Sequence, residues 1–247
     1  MITLRRATER LHEQNRKLDT WLTFDPQERA DGGSGNFRNI VNLKECRLAP
    51  GAGVPRSCGH DVEILTYVCE GALAYENSLG SSGVVQAGEF KRVTAGRGLH
   101  RSQTNASRTD VAHFFQIHLL PSEVDLDPGH EQKRFTAGQR RGGWCIVASP
   151  DARRGSLHIH QDALIYSALL DPGKHLVREL SPRRSAWLHV VRGEVTLGDL
   201  VLGTGDGAGV TAERAVSLTA TEESDILLVD LGEPVPLAIV NRPEPSP

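Results

Sequence analysis

The sequence predicts an all-β protein made of two similar modules in tandem, and three observations carry that reading. Short runs rich in β-branched and aromatic residues recur at close intervals, as in a sandwich or barrel. Gly and Pro punctuate the runs, and no long segment carries the period of an amphipathic helix. The chain also repeats itself. Leu48-Ala49-Pro50-Gly51 returns as Leu170-Asp171-Pro172-Gly173, and each of these glycines is followed at equal distance by another, Gly71 or Gly193, that closes an apolar run.

In order along the chain, residues 5–17 are polar, with Leu4, Leu11 and Leu18 as the main apolar positions. They read as a helical turn or as a strand leading into Trp21-Leu22-Thr23-Phe24. Asp31-Gly32-Gly33-Ser34-Gly35 reads as a flexible loop. Strands are expected over Phe37–Leu43, Glu63–Cys69, Leu73–Glu76, Gly83–Gln86, Phe90–Val93 and Val111–Leu120. Residues 121–142, with Pro121, Asp127-Pro128-Gly129 and Arg140-Arg141, break the pattern and read as a linker. Strands resume at Gly143–Ala148 and Ser156–Gln161. In the second copy Ala186–Val191 answers Ile64–Val68, and Asp225–Leu231 answers His113–Leu119. The first module is therefore assigned residues 1–135 and the second residues 136–247, ending in a Pro-rich tail from Gly232 that is expected to be a loose arm.

A chain of 247 residues is long enough for two modules with cores of their own. A net charge of −3 gives no field suited to nucleic acid or an anionic membrane. The basic pairs Arg5-Arg6, Arg140-Arg141, Arg153-Arg154 and Arg183-Arg184 are dispersed, so there is no direct nucleic-acid signal. The longest apolar runs, such as Ile226–Val229, are too short to cross a bilayer. Met1–Arg6 lacks the apolar core of an export signal, and Cys46, Cys58, Cys69 and Cys145 lack CxxC spacing. Reduced thiols in a cytoplasmic protein are expected.

The segments Leu48–Gly51, Asp61–Val68, Glu70–Leu73, Ala95–Gly98, His113–Ile117, Glu131–Phe135 and Ile159–Asp162, together with Asn105, resemble the pirin-like bicupins of the cupin superfamily. The resemblance spans nearly the whole chain. It implies two cupin-type β-barrels of the double-stranded β-helix, or jelly-roll, kind. It also implies a mononuclear iron-type site in the N-terminal barrel, held by a His-x-His pair and a later His and Glu. Some members of that family act as quercetin 2,3-dioxygenases and others are linked to transcription. Imidazoles with one carboxylate suit a divalent ion that keeps open positions, and strand alternation turns residues i and i+2 to one face.

The chain departs from the family pattern where the chemistry sits. Counting along the shared segments puts the four ligand positions on Ser57, Gly59, Arg101 and Gln103. Gly59 has no side chain, Arg101 is a fixed cation, and Ser57 and Gln103 are neutral. No metal cofactor is expected there. The neighbouring His60 and His100 define the alternative, a rearranged site for Fe or another divalent metal. They flank the ligand positions on opposite sides, so one register slip does not turn both inward. In the second copy the His-x-His positions fall on Glu179 and Ser181, while His158 and His160 read as hydrogen-bonded histidines of the sandwich.

The replacement pocket is read as Ser57, Gly59, Glu63, Arg101, Gln103 and His118, taking an unknown small molecule or anion. A buried Arg101 needs a partner. Glu63 is the first candidate and Asp61 the second, whereas a partly paired Arg101 would bind a carboxylate or phosphate. Cys58, placed near Arg101 and His60, is a candidate redox thiol. The leading function is a metal-free pirin-like bicupin that binds a small ligand or serves as a regulatory or interaction protein, with a protein partner left open. The runner-up is a quercetin 2,3-dioxygenase-like oxygenase with a rearranged metal site. Metal-free acid–base chemistry by His60, His100 and Glu63 ranks third, and no catalytic residue is assigned.

Overall fold

A computed structural model describes residues 1–24 and 37–233 of the chain. The expected loop at 31–35 and the Pro-rich arm from residue 234 lie outside the described residues. The first half contains β1 (Ile2–Arg5), β2 (Leu11–Gln14), β3 (Leu18–Leu22), β4 (Ile40–Leu48), β5 (Gly53–Gly59) and β6 (Glu63–Glu70). It continues with β7 (Ala72–Asn77), β8 (Ser82–Gln86), β9 (Glu89–Thr94), β10 (Leu99–Asn105), β11 (Ala112–Leu119) and β12 (Gly129–Arg134). One turn of helix, α1 (Ala137–Arg140), leads into the second half. There follow β13 (Cys145–Ser149), β14 (Leu157–His158), β15 (Ala163–Leu170), β16 (His175–Glu179) and β17 (Ser185–Arg192). The last are β18 (Glu194–Leu197), β19 (Leu200–Gly203), β20 (Gly207–Val210), β21 (Ala215–Ala220) and β22 (Ser224–Leu231).

Each module faces a seven-stranded sheet with a four-stranded one. The first module orders them β12-β9-β6-β11-β4-β3-β2 and β5-β10-β7-β8; the second orders them β1-β20-β17-β22-β15-β13-β14 and β16-β21-β18-β19. The inner order β9-β6-β11-β4 is repeated as β20-β17-β22-β15, and β5-β10-β7-β8 as β16-β21-β18-β19. The internal repeat of the sequence is thus two copies of one jelly roll.

Period-two alternation feeds two different interiors from the same strands. Odd-numbered residues of β4, β6 and β11 (Leu43, Leu65, Tyr67, Phe115, Ile117) pack in one cluster with Val147, Ile165, Trp187, Leu227 and Val229 of the second module. Each such side chain contributes about 1.5–3 kcal/mol by leaving water, so this seam joins the modules firmly. Even-numbered residues of the same strands point the other way, into the first module itself. Glycine matters at Gly96, where φ is +48° and an added Cβ would run into the carbonyl of Leu126.

The structure corrects one expectation and adds to two others. Residues 121–142 are not a plain linker: β12 extends the first sheet beside β9, and α1 carries Arg140 into the seam. There Arg140 Nη2 donates to Asp225 Oδ1 at 2.6 Å and Nε donates to Ser167 Oγ at 2.9 Å, while Tyr67 Oη donates to Asp225 Oδ2 at 2.5 Å. Residues 5–17 hold a short 3-10 turn at Ala7–Glu9 and then β2, so both expected forms occur in sequence. The division at 135/136 is crossed by β1, which adds to the edge of the second module through β20.

Candidate functional site

The inward face of the first module changes character along its length. At one end Leu48, Val68, Leu73, Val85 and Phe114 make an apolar plug. At the other end the same alternation presents Lys44, Thr66, Lys91, Arg101, Gln103, Gln116 and His118. A cavity of about 470 Å³ opens there, lined among others by Lys44, Cys46, Ser57, Arg101, Gln103 and Gln116. The β2–β3 hairpin forms its outer wall through Glu13, Leu18, Thr20 and Leu22.

Antiparallel pairing fixes these neighbours. Arg101 lies opposite Ser57 on one side and Asn77 on the other. Its Nε donates to Ser57 Oγ at 3.2 Å. Gln103 accepts from Gln116 Nε2 at 3.1 Å, and the same amide donates to Thr66 Oγ1 at 3.2 Å. Gln116 lies opposite Lys44 across β11 and β4. The arrangement is a polar belt around a positive centre. No carboxylate pairs with Lys44, Lys91 or Arg101 among the described residues, and Glu13 at the wall is the one acid lining the cavity. Lys91 is buried with its ammonium over the Tyr75 ring, beside a separate void of about 20 Å³ that Arg101 and Gln103 also line.

Uncompensated burial shifts these groups toward their neutral forms. It pushes the Arg101 guanidinium down to about 10. It pushes Lys91 down to about 7, with Arg101 adding to the effect. Lys44 is lowered by burial as well, and again by Arg101. Burial holds His118 well below the ordinary imidazole value, with Lys44 and Arg101 contributing, and its Nε2 has no hydrogen-bond partner.

Of the six residues assigned to the replacement pocket, Ser57, Arg101 and Gln103 line the cavity. His118 faces the same interior but is buried behind the lining. Gly59 is packed shut: a Cβ there would sit 3.1 Å from Ala95 Cβ and 3.3 Å from Val62 Cγ1. Glu63 is not the partner of Arg101. It points into the seam, where Oε1 accepts from Thr94 Oγ1 at 2.8 Å and lies 2.8 Å from His160 Nδ1, while Oε2 accepts from the His160 backbone N–H at 2.6 Å. Glu63 shares the parity of Ser57 and Gly59, but that parity does not carry from β5 to β6, which belong to different sheets. They are joined through Asp61 at φ +45°, which resets which face is inward. Asp61 does not pair with Arg101 either; its carboxylate meets His60 Nδ1 at 3.3 Å and accepts from the Asp125 N–H.

The alternation that turns Ser57 and Arg101 inward turns their neighbours out. Cys58 and His100 face one another across β5 and β10 on the exposed side. Cys58 is therefore separated from Arg101 by the sheet, contrary to the expected proximity. His60 and His100 do not line the cavity. Sequence reasoning missed Lys44 and Lys91. The signal for both was strand parity: Asn42, Lys44, Cys46 and Leu48 alternate with Val41, Leu43 and Glu45, and Lys91 sits one residue from buried Phe90.

A divalent metal does not fit these residues. The four family positions offer a hydroxyl, no side chain, a guanidinium and an amide already bonded to Gln116, and Lys44 adds a second cation to the same cavity. No cluster of three His, Cys, Asp or Glu side chains among the described residues has metal-holding geometry.

Fold and repeat together define a bicupin whose N-terminal interior is lined with cations. The pirin family model matches residues 2–119, and the model described as the quercetinase C-terminal cupin domain matches residues 146–231. The chain is 38% identical over 231 residues to an Escherichia coli protein named quercetin 2,3-dioxygenase, covering 94% of this chain and 99% of that one. A pirin-like protein of Caulobacter vibrioides is 32% identical over 203 residues, covering 81% and 86% of the two chains. Among solved structures, YhhW from Escherichia coli superposes with a TM-score of 0.86 at 37% identity, covering 95% and 99%. The same bacterial pirin in complex with nickel(II) gives 0.85 at 35% identity, covering 95% and 100%. The chain belongs to the pirin-like bicupin family of the cupin superfamily.

Proposed function

We propose that this pirin-like bicupin is a metal-free protein that binds a small anion in its N-terminal cavity, in the cytoplasm. The observation that supports the reading is the exchange of a ligand set for cations. Arg101 stands at a family ligand position, Lys44 shares its cavity, and neither has a carboxylate partner among the described residues. Two desolvated cations side by side repel a third and attract an anion. The planar guanidinium, whose Nε is engaged by Ser57 and whose other donors have no hydrogen-bond partner among the described residues, keeps donors for a carboxylate or phosphate.

The test is titration calorimetry with oxalate and inorganic phosphate, and separately with nickel(II) and iron(II), on protein purified without a histidine tag. Oxalate or phosphate should bind and protect against thermal unfolding, and elemental analysis should find no stoichiometric metal. Tight metal with no anion binding would overturn the reading.

A second reading is favoured by the 38% identity to a protein named quercetin 2,3-dioxygenase. It requires a metal at His60 and His100. His60 is already engaged by Asp61, and His100 is exposed on the outer face. Stoichiometric metal lost on His60→Ala would establish this second reading.

A further inference from the structure

We propose that the cavity is built for 2-oxo carboxylates, with the Lys44 amine adding to the ketone carbon while Arg101 seats the carboxylate. This rests on the anion-binding reading above and names the chemistry of the ligand. Of the nucleophiles lining the cavity, Lys44 alone is fit to react. The Cys46 thiol is held within 3.9 Å of Thr20 Oγ1, and burial pushes it up to about 11, so it stays protonated at neutral pH. Ser57 Oγ accepts from Arg101 Nε and Thr20 Oγ1 is engaged with Cys46 Sγ, and among the described residues no base is hydrogen-bonded to either hydroxyl. Lys44 has no carboxylate partner, opens onto about 470 Å³, and lies across the strand pair from Gln116, whose amide leads through Gln103 to the Arg101 strand. Burial, joined by the Arg101 charge, favours its neutral, nucleophilic form against the opposing effects of Cys46 and Glu13.

The step balances without an oxidant. The Lys44 Nζ lone pair forms a bond to the carbonyl carbon, giving a carbinolamine. The former carbonyl oxygen then leaves as water carrying the two protons of the amine, relayed through solvent, and a neutral imine remains. Lys91, although lowered further, is shut behind Tyr75 in a void of about 20 Å³ that leaves no room for the acid. It serves as an internal control, with the exposed Lys17 and Lys174 as surface controls and the half-buried Lys133, bonded to the Gly155 carbonyl, as a third.

The experiment is reductive trapping of the full chain with glyoxylate or pyruvate and cyanoborohydride, followed by peptide mass mapping. Acetaldehyde is the carbonyl without a carboxylate, and oxalate is the anion without a reactive carbonyl. The reduced adduct should fall on Lys44 in preference to the other lysines, and oxalate should compete. Lys44→Arg should abolish trapping while the background labelling of Lys17 and Lys174 stays as in the wild type. Arg101→Met should cut trapping of pyruvate by about tenfold or more, the scale of a lost charge-assisted contact, without a matching loss for acetaldehyde. Oxalate binding with uniform labelling, or with labelling at Lys91, overturns the imine and leaves the anion site standing. No oxalate binding overturns both. Trapping at Lys44 that ignores Arg101 overturns the assignment of 2-oxo carboxylates.

Discussion

The two modules share one topology and differ in what they enclose. Matched through equivalent strand pairings, Lys44 corresponds to Tyr166, Thr66 to Leu188, Lys91 to Ala208, Gln116 to Leu228 and His118 to Asp230. The second interior is filled by Leu164, Leu188, Val190, Leu202, Leu218, Leu228 and their neighbours. Its buried acid, Asp230, is closed by Arg178 at 3.2 Å and Arg184 at 2.5 Å. In the first interior the polar residues keep a cavity open, and among the described residues its cations have no carboxylate in an ion pair with them. One copy therefore invests its inner face in stability, and its twin keeps a solvated site at the cost of cohesion.

Several measurements break or sharpen this contrast. The largest effect is expected in the filled module. Leu188→Ala or Leu228→Ala should cost about 2–5 kcal/mol in denaturant unfolding, with oxalate affinity at low temperature unchanged. A cost well under that range would mean that the second interior is not the stabilising one. Next comes Arg101→Met, which should weaken oxalate by about ten- to a hundredfold in calorimetry, or about 1.5–3 kcal/mol, with stability unchanged or raised.

Lys91→Met should stabilise the protein by about 1–3 kcal/mol at neutral pH, since it removes an unpaired buried amine. The sign follows from a folded value of about 7 against an ordinary 10.5. The unfolded chain takes up the proton as pH falls below 10.5 and the folded chain resists until about 7, so wild-type stability drops across that window. The difference between variant and wild type should shrink as pH is raised toward 10.5; a constant difference would refute the titration. His189 sits in the seam with both ring nitrogens unpartnered, and burial pushes it down to about 3. Wild-type stability should fall as pH drops from 6.5 toward 3, and His189→Leu should lose about 1–2 kcal/mol less by pH 5. The smallest effect is expected at Cys58. Alkylation of this exposed thiol should leave oxalate affinity unchanged, and a large loss would show that the outer face is coupled to the cavity.

Much of this was legible in the residues, and the failures share a cause. Glycine-closed runs and the repeated Pro-Gly turns exposed two copies of one β-fold, because turn chemistry is local. Ser57, Arg101 and Gln103 were placed at the cavity by the resemblance to the pirin-like family, whose ligand positions they occupy. Glu63 was misplaced because parity was carried from β5 to β6, across a change of sheet. Lys44 and Lys91 passed unnoticed because a lysine in a strand reads as a solvated face until the pairing partners are known. The role of residues 129–140 was invisible for a related reason: what makes β12 a strand is the open edge of β9, and what buries Arg140 is Asp225, far along the chain.

The pairing of β1 with β20 also has a consequence for how the chain is assembled. Strand β1 finds its partner strand only after Gly207–Val210 has been made. Until then Ile2–Arg5 wait without that partner, and the second jelly roll lacks an edge. Severing the polypeptide near residue 135 would therefore leave one product with a dangling leader and the other with an open flank, and adding a Met1–Arg5 peptide should restore solubility to the latter.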